Sequence, residues 1–321
     1  MMKLSEAASA LHARMQGADV TFKSVSTDTR TLHPGALFIA LRGETHDGHR
    51  FIAAAASAGA VATLVDATGA GDVPAALPAL IVEDTRLALG RLSAHWRNRF
   101  NLPLVGLTGS SGKTTVKEML ASILRAATVS AVGEKAAADV VLATRGNLNN
   151  DIGLPLMLLE LSPAHRYAVI EMGMNHAGEI RYLTQIARPD VALITNAGTA
   201  HIEYLGSEEA IARAKGEIFE GLSASGTAVI NSDDRYAGLW RHIAADRRRI
   251  EFGLEHSAEV TASYRLHEQE SEMVITTPQG RASTRLQSPG VHNIRNALAA
   301  TAAAAALDLP VSTIAKGLAA Y

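Results

Sequence analysis

Short apolar runs alternate with helical patterns through the middle of the chain. Apolar runs at 104–107, 167–170, 191–194, 228–230 and 250–252 are separated by segments in which apolar residues recur at helical spacing. Alternation of this kind predicts parallel strands joined by crossover helices. Ligands of such sheets bind beyond the carboxyl ends of the strands.

The two ends of the chain have other patterns. The first part predicts a helix at 4–15, strands at 36–41, 61–65 and 80–82, and a helix at 84–100. After residue 258, alternating runs at 260–266, 272–276 and 282–286 predict a small antiparallel edge, followed by helices from 290 and at 311–320. We therefore predict an α/β protein with a small N-terminal α/β domain (1–84) and a central, mostly parallel-sheet domain (85–314).

A glycine-containing loop follows the apolar run at 104–107 and precedes a helical pattern. The loop reads Thr108-Gly109-Ser110-Ser111-Gly112-Lys113-Thr114-Thr115. Glycines let successive backbone N–H groups turn toward phosphate oxygens, and the following helix N-terminus adds partial positive charge. Lys113 would then neutralise the β- and γ-phosphates, and the Thr114 hydroxyl would bind Mg²⁺.

The alternative is a flexible loop that ends in lysine by chance. Its place between a strand and a helix favours the phosphate site, because the mechanism requires that context. The general pattern has a glycine five residues before Gly112, where this chain has Leu107, so the loop is of a shorter form.

Polar side chains follow two of the predicted parallel strands. Glu171 ends the strand that starts at 167, and His201 follows the strand at 191–194. A carboxylate at such a strand end typically orients Mg²⁺ or its water, although a solvated glutamate is the alternative. His201 is a candidate on the same rim or a structural hydrogen-bond donor.

Three further groups of residues are candidates, each with a simple structural alternative. Lys215, on a helix with several glutamates, reads from composition as part of a solvated, ion-paired face. Asn147, Asn149 and Asn150 stand beside two glycines, and they favour a binding loop over a turn. His292 and Asn293 either cap a helix or face a base or ribose.

The N-terminal part carries hydroxyls, Asp, Arg and His in segments that we expect to be loops. Such groups suit a polar, charged small molecule, whereas ordinary turn chemistry explains Pro34-Gly35 and part of the rest. The candidates are Ser26, Thr27, Asp28, Arg30, Arg42, Gly43, Asp47 and His49.

Length, charge and composition narrow the function further. A chain of 321 residues suits two or three domains, and a net charge of −2 argues against a nucleic-acid partner. The one dense basic run, residues 247–249, reads as a solvated helix end. The absence of cysteine excludes disulfides and thiolate metal sites.

Residues 1–17 lack a secretory apolar region, and the longest apolar run, 297–307, is shorter than the roughly 20 residues of a membrane span. We therefore expect a cytoplasmic protein with no membrane partner.

Several segments, in this order, resemble motifs of the Mur ligases, ATP-dependent enzymes that form amide bonds in the peptidoglycan precursor. TGSSGKTT (108–115) resembles their phosphate loop, EMGMNHAGEI (171–180) their magnesium-glutamate segment, TNAGTAHIEYLGS (195–207) their histidine segment and GVHNIRNALAA (290–300) their nucleotide-side motif. Within the family, residues 26–52 and 144–161 resemble the members that add D-alanyl-D-alanine to UDP-N-acetylmuramoyl-tripeptide.

The resemblance implies three domains: a UDP-binding N-terminal domain, a central ATPase and a C-terminal Rossmann-like domain. We expect this chain to hold the first two and, at 315–321, only the start of the third. The third domain should close over ATP and position the amine. We therefore expect residues 1–321 alone to bind ligands without forming the amide, and we expect a monomer.

The resemblance also implies roles for individual residues. ATP phosphates and Mg²⁺ are implied for Gly109, Ser110, Ser111, Gly112, Lys113, Thr114 and Thr115, Mg²⁺ for Glu171 and His201, and a second Mg²⁺ for Lys215 after carbamylation. Adenine-side contacts are implied for Asn293 and Asn296, and nearness to the nucleotide for Asn231, Asp233 and Asp234. The N-terminal candidates resemble the loops around the UDP-sugar, and Asn147, Asn149 and Asn150 those that hold the muramoyl-peptide end.

Two alternatives to this function stay open. One is a sister ligase, either another Mur enzyme or a folylpolyglutamate synthase. The other is a module that binds nucleotide or UDP-precursor without ligating anything.

Overall fold

The structure is a computed structural model that describes residues 1–43, 45–133, 137, 139–199 and 202–321. The strands are β1 (Met2–Lys3), β2 (Arg14–Gln16), β3 (Thr21–Phe22), β4 (Ser24–Ser26), β5 (Ala36–Ile39), β6 (Ala62–Asp66), β7 (Ala79–Val82), β8 (Leu104–Thr108), β9 (Val141–Ala143), β10 (Tyr167–Glu171), β11 (Val191–Ile194), β12 (Thr227–Asn231), β13 (Arg248–Phe252), β14 (Thr261–Leu266), β15 (Ser271–Thr277) and β16 (Gly280–Leu286).

The helices are α1 (Leu4–Leu11), α2 (Ile52–Ser57), α3 (Thr85–Arg97), α4 (Lys113–Val132), α5 (Gly153–Leu158), α6 (Glu179–Ala187), α7 (Ile202–Leu205), α8 (Glu208–Gly216), α9 (Ala237–Ala244), α10 (Val291–Ala306) and α11 (Val311–Ala319). Short 3₁₀ turns are formed by Gly48–Phe51, Ala70–Asp72 and Glu217–Gly221.

The first unit comprises Met1–Phe100 and Asp151–Leu161 and contains a five-stranded sheet. The strand order is β2-β7-β6-β5-β4, and every pair is parallel except β2 with β7. The predicted helix at 4–15 is too long, because α1 ends at Leu11. His12 adopts a left-handed φ of 52°, and β2 then pairs with β7.

The second unit comprises Asn101–Asn150 and Ser162–Tyr321 and contains a six-stranded, fully parallel sheet. The strand order is β13-β12-β11-β8-β10-β9. The alternating apolar runs predicted parallel strands, whereas no run predicted β9. Helices α4, α10 and α11 pack together over an apolar core on one face of this sheet. Gly317 allows the close approach of α11 to α4, since a Cβ there would lie 2.3 Å from the Ile123 Cα.

The alternating runs after residue 258 form a separate antiparallel sheet of β14, β15 and β16. The basic run at 247–249 is not a helix end, because Arg248 and Arg249 begin β13. This strand is outermost in the sheet order, and both arginines are exposed, which suits an edge strand.

The two units differ from the predicted domain limits at three places. The helix α3, which the prediction assigned to the central domain, belongs to the first unit together with Asp151–Leu161. The Trp96 indole of α3 donates to the Leu161 carbonyl across 3.0 Å, so these two segments are joined by a buried hydrogen bond. At the other end, α11 runs past residue 314 to Ala319 within the second unit.

No helix within the described ranges is both long enough and apolar enough to span a bilayer.

Candidate active site

The glycine-containing loop begins at the end of β8, a central strand of the parallel sheet. The next strand along the chain, β9, lies beyond β10 on one side of β8, whereas β11, β12 and β13 lie on the other side. Strand order therefore reverses beside β8, and in parallel α/β sheets this is where ligands bind.

Two glycines of this loop have no room for a side chain. A Cβ on Gly109 would lie 1.8 Å from Thr195 Oγ1, and a Cβ on Gly112 would lie 2.4 Å from Asn296 Oδ1. Gly112 also has a φ of +78° and directly precedes α4, so a residue with a side chain would be strained there. Asn296, which the resemblance placed on the adenine side, thus lies against the loop itself.

The segment after β11 holds the loop in place. The Ser110 and Ser111 amides donate to the Asn196 backbone and side-chain oxygens at 3.0 and 2.9 Å. The Thr195 hydroxyl donates to the Ser111 carbonyl at 2.8 Å. The sequence prediction omitted Asn196, although this residue stands two positions after the last residue of β11.

Lys113 opens α4 and turns back over the loop. Its Nζ donates to the Gly109 carbonyl at 2.8 Å. Burial lowers the pKa of the Lys113 ammonium, and the nearby Glu171 carboxylate raises it in part. The Lys113 ammonium is therefore held at the loop, where it would neutralise the negative charge of a bound phosphate.

Glu171 ends β10 and is buried, with 2% of its surface exposed. Its Oε2 accepts the Thr114 hydroxyl at 3.1 Å, and its Oε1 accepts the Asn149 side-chain amide at 2.8 Å. Hydroxyl and carboxylate oxygens are the hard donors that Mg²⁺ prefers, so this pair fits the predicted metal. His201 lies outside the described residues.

Lys215 is buried near the end of α8, with 1% of its surface exposed. Desolvation, together with the positive charge of Lys113, lowers the pKa of Lys215 to about 7. Within the ranges that the structure describes, no carboxylate forms an ion pair with it. Composition alone had suggested a solvated, ion-paired lysine; on this helix Arg213 is the exposed member of such a pair, with Glu209.

The other candidates of this unit make structural contacts. The Asn293 amide donates to the Pro289 carbonyl at 2.9 Å, and the Asn231 amide donates to the Thr195 carbonyl at 2.9 Å. Asp234 accepts the Ala197 amide at 2.8 Å, and Asp233 accepts backbone amides of residues 254–256. Asn231 and Asp234 thus support the segment that follows β11.

In the first unit, Arg42 lies in a cradle of oxygen atoms. Its guanidinium donates to Asp47 Oδ2 at 2.8 Å, to Asp66 Oδ2 at 3.1 Å and to Thr68 Oγ1 at 2.9 Å. Burial raises the pKa of Asp66, but hydrogen bonds from Thr68, the Gly69 amide and Arg42 lower it to about 2. The sequence prediction missed Asp66 and Thr68, which only the fold brings to Arg42.

His49 is buried beneath this cradle. Its Nδ1 lies 2.7 Å from Asp47 Oδ1, and its Nε2 lies 3.2 Å from the Asp66 amide nitrogen. A Cβ on Gly69 would lie 1.9 Å from the His49 ring, so the ring is held tightly.

Among the remaining candidates of the first unit, Ser26 ends β4, Asp28 and Arg30 follow it, and Gly43 directly follows Arg42. Arg30 pairs with Asp28 at 2.6 Å, and its hydrogen bonds lower the pKa of Asp28 to about 2. The Ser26 hydroxyl donates to the Asp28 carbonyl, and the Gly43 amide donates to the His46 carbonyl.

Comparison with known proteins places these features in a family. Residues 107–304 match the Mur ligase middle domain, and residues 21–97 match the Mur ligase family, catalytic domain. The chain belongs to the Mur ligase family. The sequence-based family prediction is thus confirmed.

Individual members of the Mur ligase family resemble the chain over nearly all of its length. It is 43% identical to the UDP-N-acetylmuramoyl-tripeptide--D-alanyl-D-alanine ligase of Escherichia coli (strain K12), covering 98% of this chain and 67% of that protein. The crystal structure of MurF from Acinetobacter baumannii superposes with a TM-score of 0.89 at 38% identity, covering 99% of this chain and 68% of the other.

The MurF ligase of Thermotoga maritima, solved in complex with ADP, matches with a TM-score of 0.76 at 27% identity, covering 93% and 67% of the two chains. The chain therefore spans about two thirds of the length of these relatives. The predicted α/β fold is confirmed.

Proposed function

We propose that this chain binds ATP and a UDP-muramoyl-peptide for an ADP-forming ligase that joins D-alanyl-D-alanine to UDP-N-acetylmuramoyl-tripeptide. The main observation behind this proposal is that the Thr114 hydroxyl donates to the Glu171 carboxylate across 3.1 Å beside the glycine-containing loop. The similarity of this chain to a UDP-N-acetylmuramoyl-tripeptide--D-alanyl-D-alanine ligase and to MurF supports the choice of substrates.

A carboxylate does not react with an amine at neutral pH, because its carbonyl is a poor electrophile and its oxygen a poor leaving group. In the proposed reaction, a carboxylate oxygen of the tripeptide attacks the γ-phosphorus of ATP and ADP leaves. The D-alanyl-D-alanine amine then attacks the acyl carbon, phosphate leaves, and the amine loses a proton. Phosphorylation thereby makes the carbonyl a better electrophile and provides phosphate as a good leaving group.

In the first step two anions must approach each other. Lys113 lies beside the loop amides and supplies positive charge, while Gly109 and Gly112 let the backbone approach the phosphates. Catalysis of phosphoryl transfer comes mainly from positioning and electrostatic stabilisation, which is what these groups provide.

Thr114 and Glu171 are the residues that would hold Mg²⁺, together with His201. When bound, the ion supplies charge neutralisation between the two reacting anions. The Asn149 amide fixes Glu171 Oε1 and leaves the carboxylate in one orientation.

Lys215 is the proposed site of carbamylation. With its pKa lowered to about 7, much of the amine is neutral near that pH, and a neutral amine can attack the carbon of CO₂ and release a proton. The product is an anion, which would support a second Mg²⁺ as the family resemblance implies.

In the first unit we propose that Arg42 contacts the UDP-precursor. Its guanidinium is oriented by Asp47, Asp66 and Thr68 and remains half-exposed, so it can meet an anionic ligand. Asn147, Asn149 and Asn150 are proposed to face the muramoyl-peptide end.

The test of the proposed function uses the natural full-length protein. It is incubated with ATP, Mg²⁺ and UDP-N-acetylmuramoyl-tripeptide, and D-alanyl-D-alanine is compared with single amino acids and with glutamate. We expect ADP and an amide product with D-alanyl-D-alanine alone. Amide formation with a single amino acid or with glutamate would instead identify a sister ligase, and ligand binding without ADP formation would identify a binding module.

A further inference from the structure

A second lysine of α4, Lys117, is almost completely buried and takes no part in the proposed reaction. It is 1% exposed, and its Nζ donates to the Thr144 carbonyl at 2.6 Å. The carboxylate paired with it, Glu118 Oε1 at 3.0 Å, belongs to its chain neighbour, whose side chain is 45% exposed. Burying an ammonium is costly, so an apolar side chain of similar size would fill the space at lower cost.

Thr144, the hydrogen-bond partner of Lys117, is also hydrogen-bonded to Glu171. Thr144 follows β9 and is itself 1% exposed, and its Oγ1 accepts the backbone amide of Glu171 at 2.9 Å. The Thr144 amide in turn donates to the Val169 carbonyl of β10 at 3.0 Å. Thr144 therefore joins Lys117 to the strand end that carries the metal-side carboxylate.

The same face of α4 is thus linked to Glu171 in two ways, directly by Thr114 and through Thr144 by Lys117. Thr114 and Lys117 are three residues apart, so their side chains lie on one face of the helix. Thr114 donates to the Glu171 carboxylate, and Lys117 holds the residue that accepts the Glu171 amide. Residue 144 also begins the loop that carries Asn149, whose amide donates to Glu171 Oε1.

We propose that Lys117 is a positioning residue: through Thr144, its buried ammonium fixes Glu171 relative to Thr114 at the metal-binding end of α4. The inference rests on the proposed function only in taking Glu171 as a metal ligand. A buried lysine of purely structural use would stabilise the fold without affecting metal affinity.

The test measures metal and nucleotide binding by the chain itself, with Mn²⁺ as the spectroscopic probe and ADP as the nucleotide. The quantity compared is the gain in ADP affinity on adding Mn²⁺, with the free energy of unfolding measured in parallel. Lys117→Met keeps length and volume but removes the donor. We expect this variant to lose about tenfold of the metal-dependent gain, as is typical when a group that orients a metal ligand is removed. The ADP affinity without metal should change little.

A second pair of variants tests the same link from its other end. Thr144→Val removes the acceptor of the Glu171 amide, whereas Thr144→Ser keeps it. We expect the valine variant to behave as Lys117→Met does and the serine variant as the wild type. The double variant Lys117→Met, Thr144→Val should be little worse than the worse single variant, because both changes break one path. Lys316→Met, an exposed lysine of α11, is the matched control.

The outcomes separate the inference from the function on which it rests. A wild-type chain with no metal-dependent gain would contradict the proposed function. A normal gain in wild type that persists in Lys117→Met and Thr144→Val would overturn the positioning role, whatever the loss of stability. If Lys117→Met does not fold, the comparison of Thr144→Val with Thr144→Ser tests the positioning role. Lys117→Arg keeps a donor and should retain the metal-dependent gain.

Discussion

The Thr114 hydroxyl donates to Glu171 Oε2 across 3.1 Å, which joins the first turn of α4 to the end of the neighbouring strand β10. The two residues are 57 positions apart in the chain. Parallel pairing of β8 with β10 brings both carboxyl ends to one edge of the sheet, so a residue after one strand meets the last residue of the other.

Glu171→Gln should raise the Mg²⁺ concentration needed for nucleotide binding. The substitution keeps the shape of the side chain and an oxygen for Asn149, but it removes the negative charge that attracts the cation. We expect a shift of about tenfold or more in a metal titration of ADP binding. Glu209→Gln, an exposed glutamate on α8, is the control, and an unchanged titration for Glu171→Gln would exclude it as a ligand.

Lys113→Ala should lower turnover of the natural full-length protein by on the order of 10²-fold or more, because it removes an ammonium that is held at the Gly109 carbonyl of the loop. The measurement is the steady-state rate of ADP release with all substrates present. Lys316→Ala, an exposed lysine in the same unit, should leave the rate unchanged. Near-wild-type turnover of Lys113→Ala would remove Lys113 from the mechanism.

Lys215 should make the stability of the fold depend on pH in the alkaline range. Its pKa is about 7 in the folded state and 10.5 ordinarily, so below pH 7 both states hold the proton and the folded state bears the full cost of burying it. Between those pKa values the unfolded state binds more protons, so the free energy of unfolding rises with pH. We therefore expect Lys215→Met to be more stable than wild type at about pH 6, with the difference shrinking toward about pH 9.

Urea unfolding of wild type and Lys215→Met at several pH values measures this effect, with Lys316→Met as the control for an exposed lysine. A difference that does not change with pH would contradict the lowered pKa. Carbon-13 NMR with labelled bicarbonate tests the carbamate separately, since its resonance should be present in wild type and absent in Lys215→Met.

Much of this site could be predicted from the sequence because its parts are local. The strand, loop and helix around Gly109, and the glutamate at a strand end, are each visible in a few consecutive residues. The structure brings Thr114 and Glu171 together as that pattern requires. It places Asn149 on Glu171, which is compatible with the binding loop predicted there.

What the sequence did not predict depends on contacts between distant residues. Lys117 reads as an ordinary helix position and no strand was predicted before Thr144, so only the parallel pairing of β9 with β10 brings them to Glu171. Lys215 reads as solvated until the fold buries it. The long first helix was wrong because the pairing of β2 with β7 outweighs local helical preference.

Arg42→Lys should weaken binding of the UDP-precursor to the first unit. Lysine keeps the charge but loses the planar fork that Asp47, Asp66 and Thr68 hold in one orientation. We expect an affinity loss of roughly tenfold, in line with about 1.5–3 kcal/mol for hydrogen bonds to charged groups. Calorimetric titration with UDP-N-acetylmuramoyl-tripeptide measures it. The control is Arg14→Lys, an exposed arginine in β2, and equal affinities for the two variants would contradict the role of Arg42.

Glu217→Ala should destabilise the second unit, because this buried carboxylate caps the N-terminus of α6. Its oxygens accept the Gly178 amide at 2.9 and 3.0 Å and the Arg181 amide at 3.1 Å, and Gly178 has no side chain to cap the helix itself. Removing the acceptor leaves helix amides unpaired, so the free energy of unfolding should fall by about 1–3 kcal/mol. Glu220→Ala is the matched control, since its ion pair with Arg181 is exposed and such pairs contribute about 0–1 kcal/mol. Urea unfolding at one pH compares the two variants. Equal losses for Glu217→Ala and Glu220→Ala would show that the cap contributes no more than a surface ion pair. Glu217→Gln keeps one acceptor oxygen, so its loss of unfolding free energy should lie between the losses of these two variants.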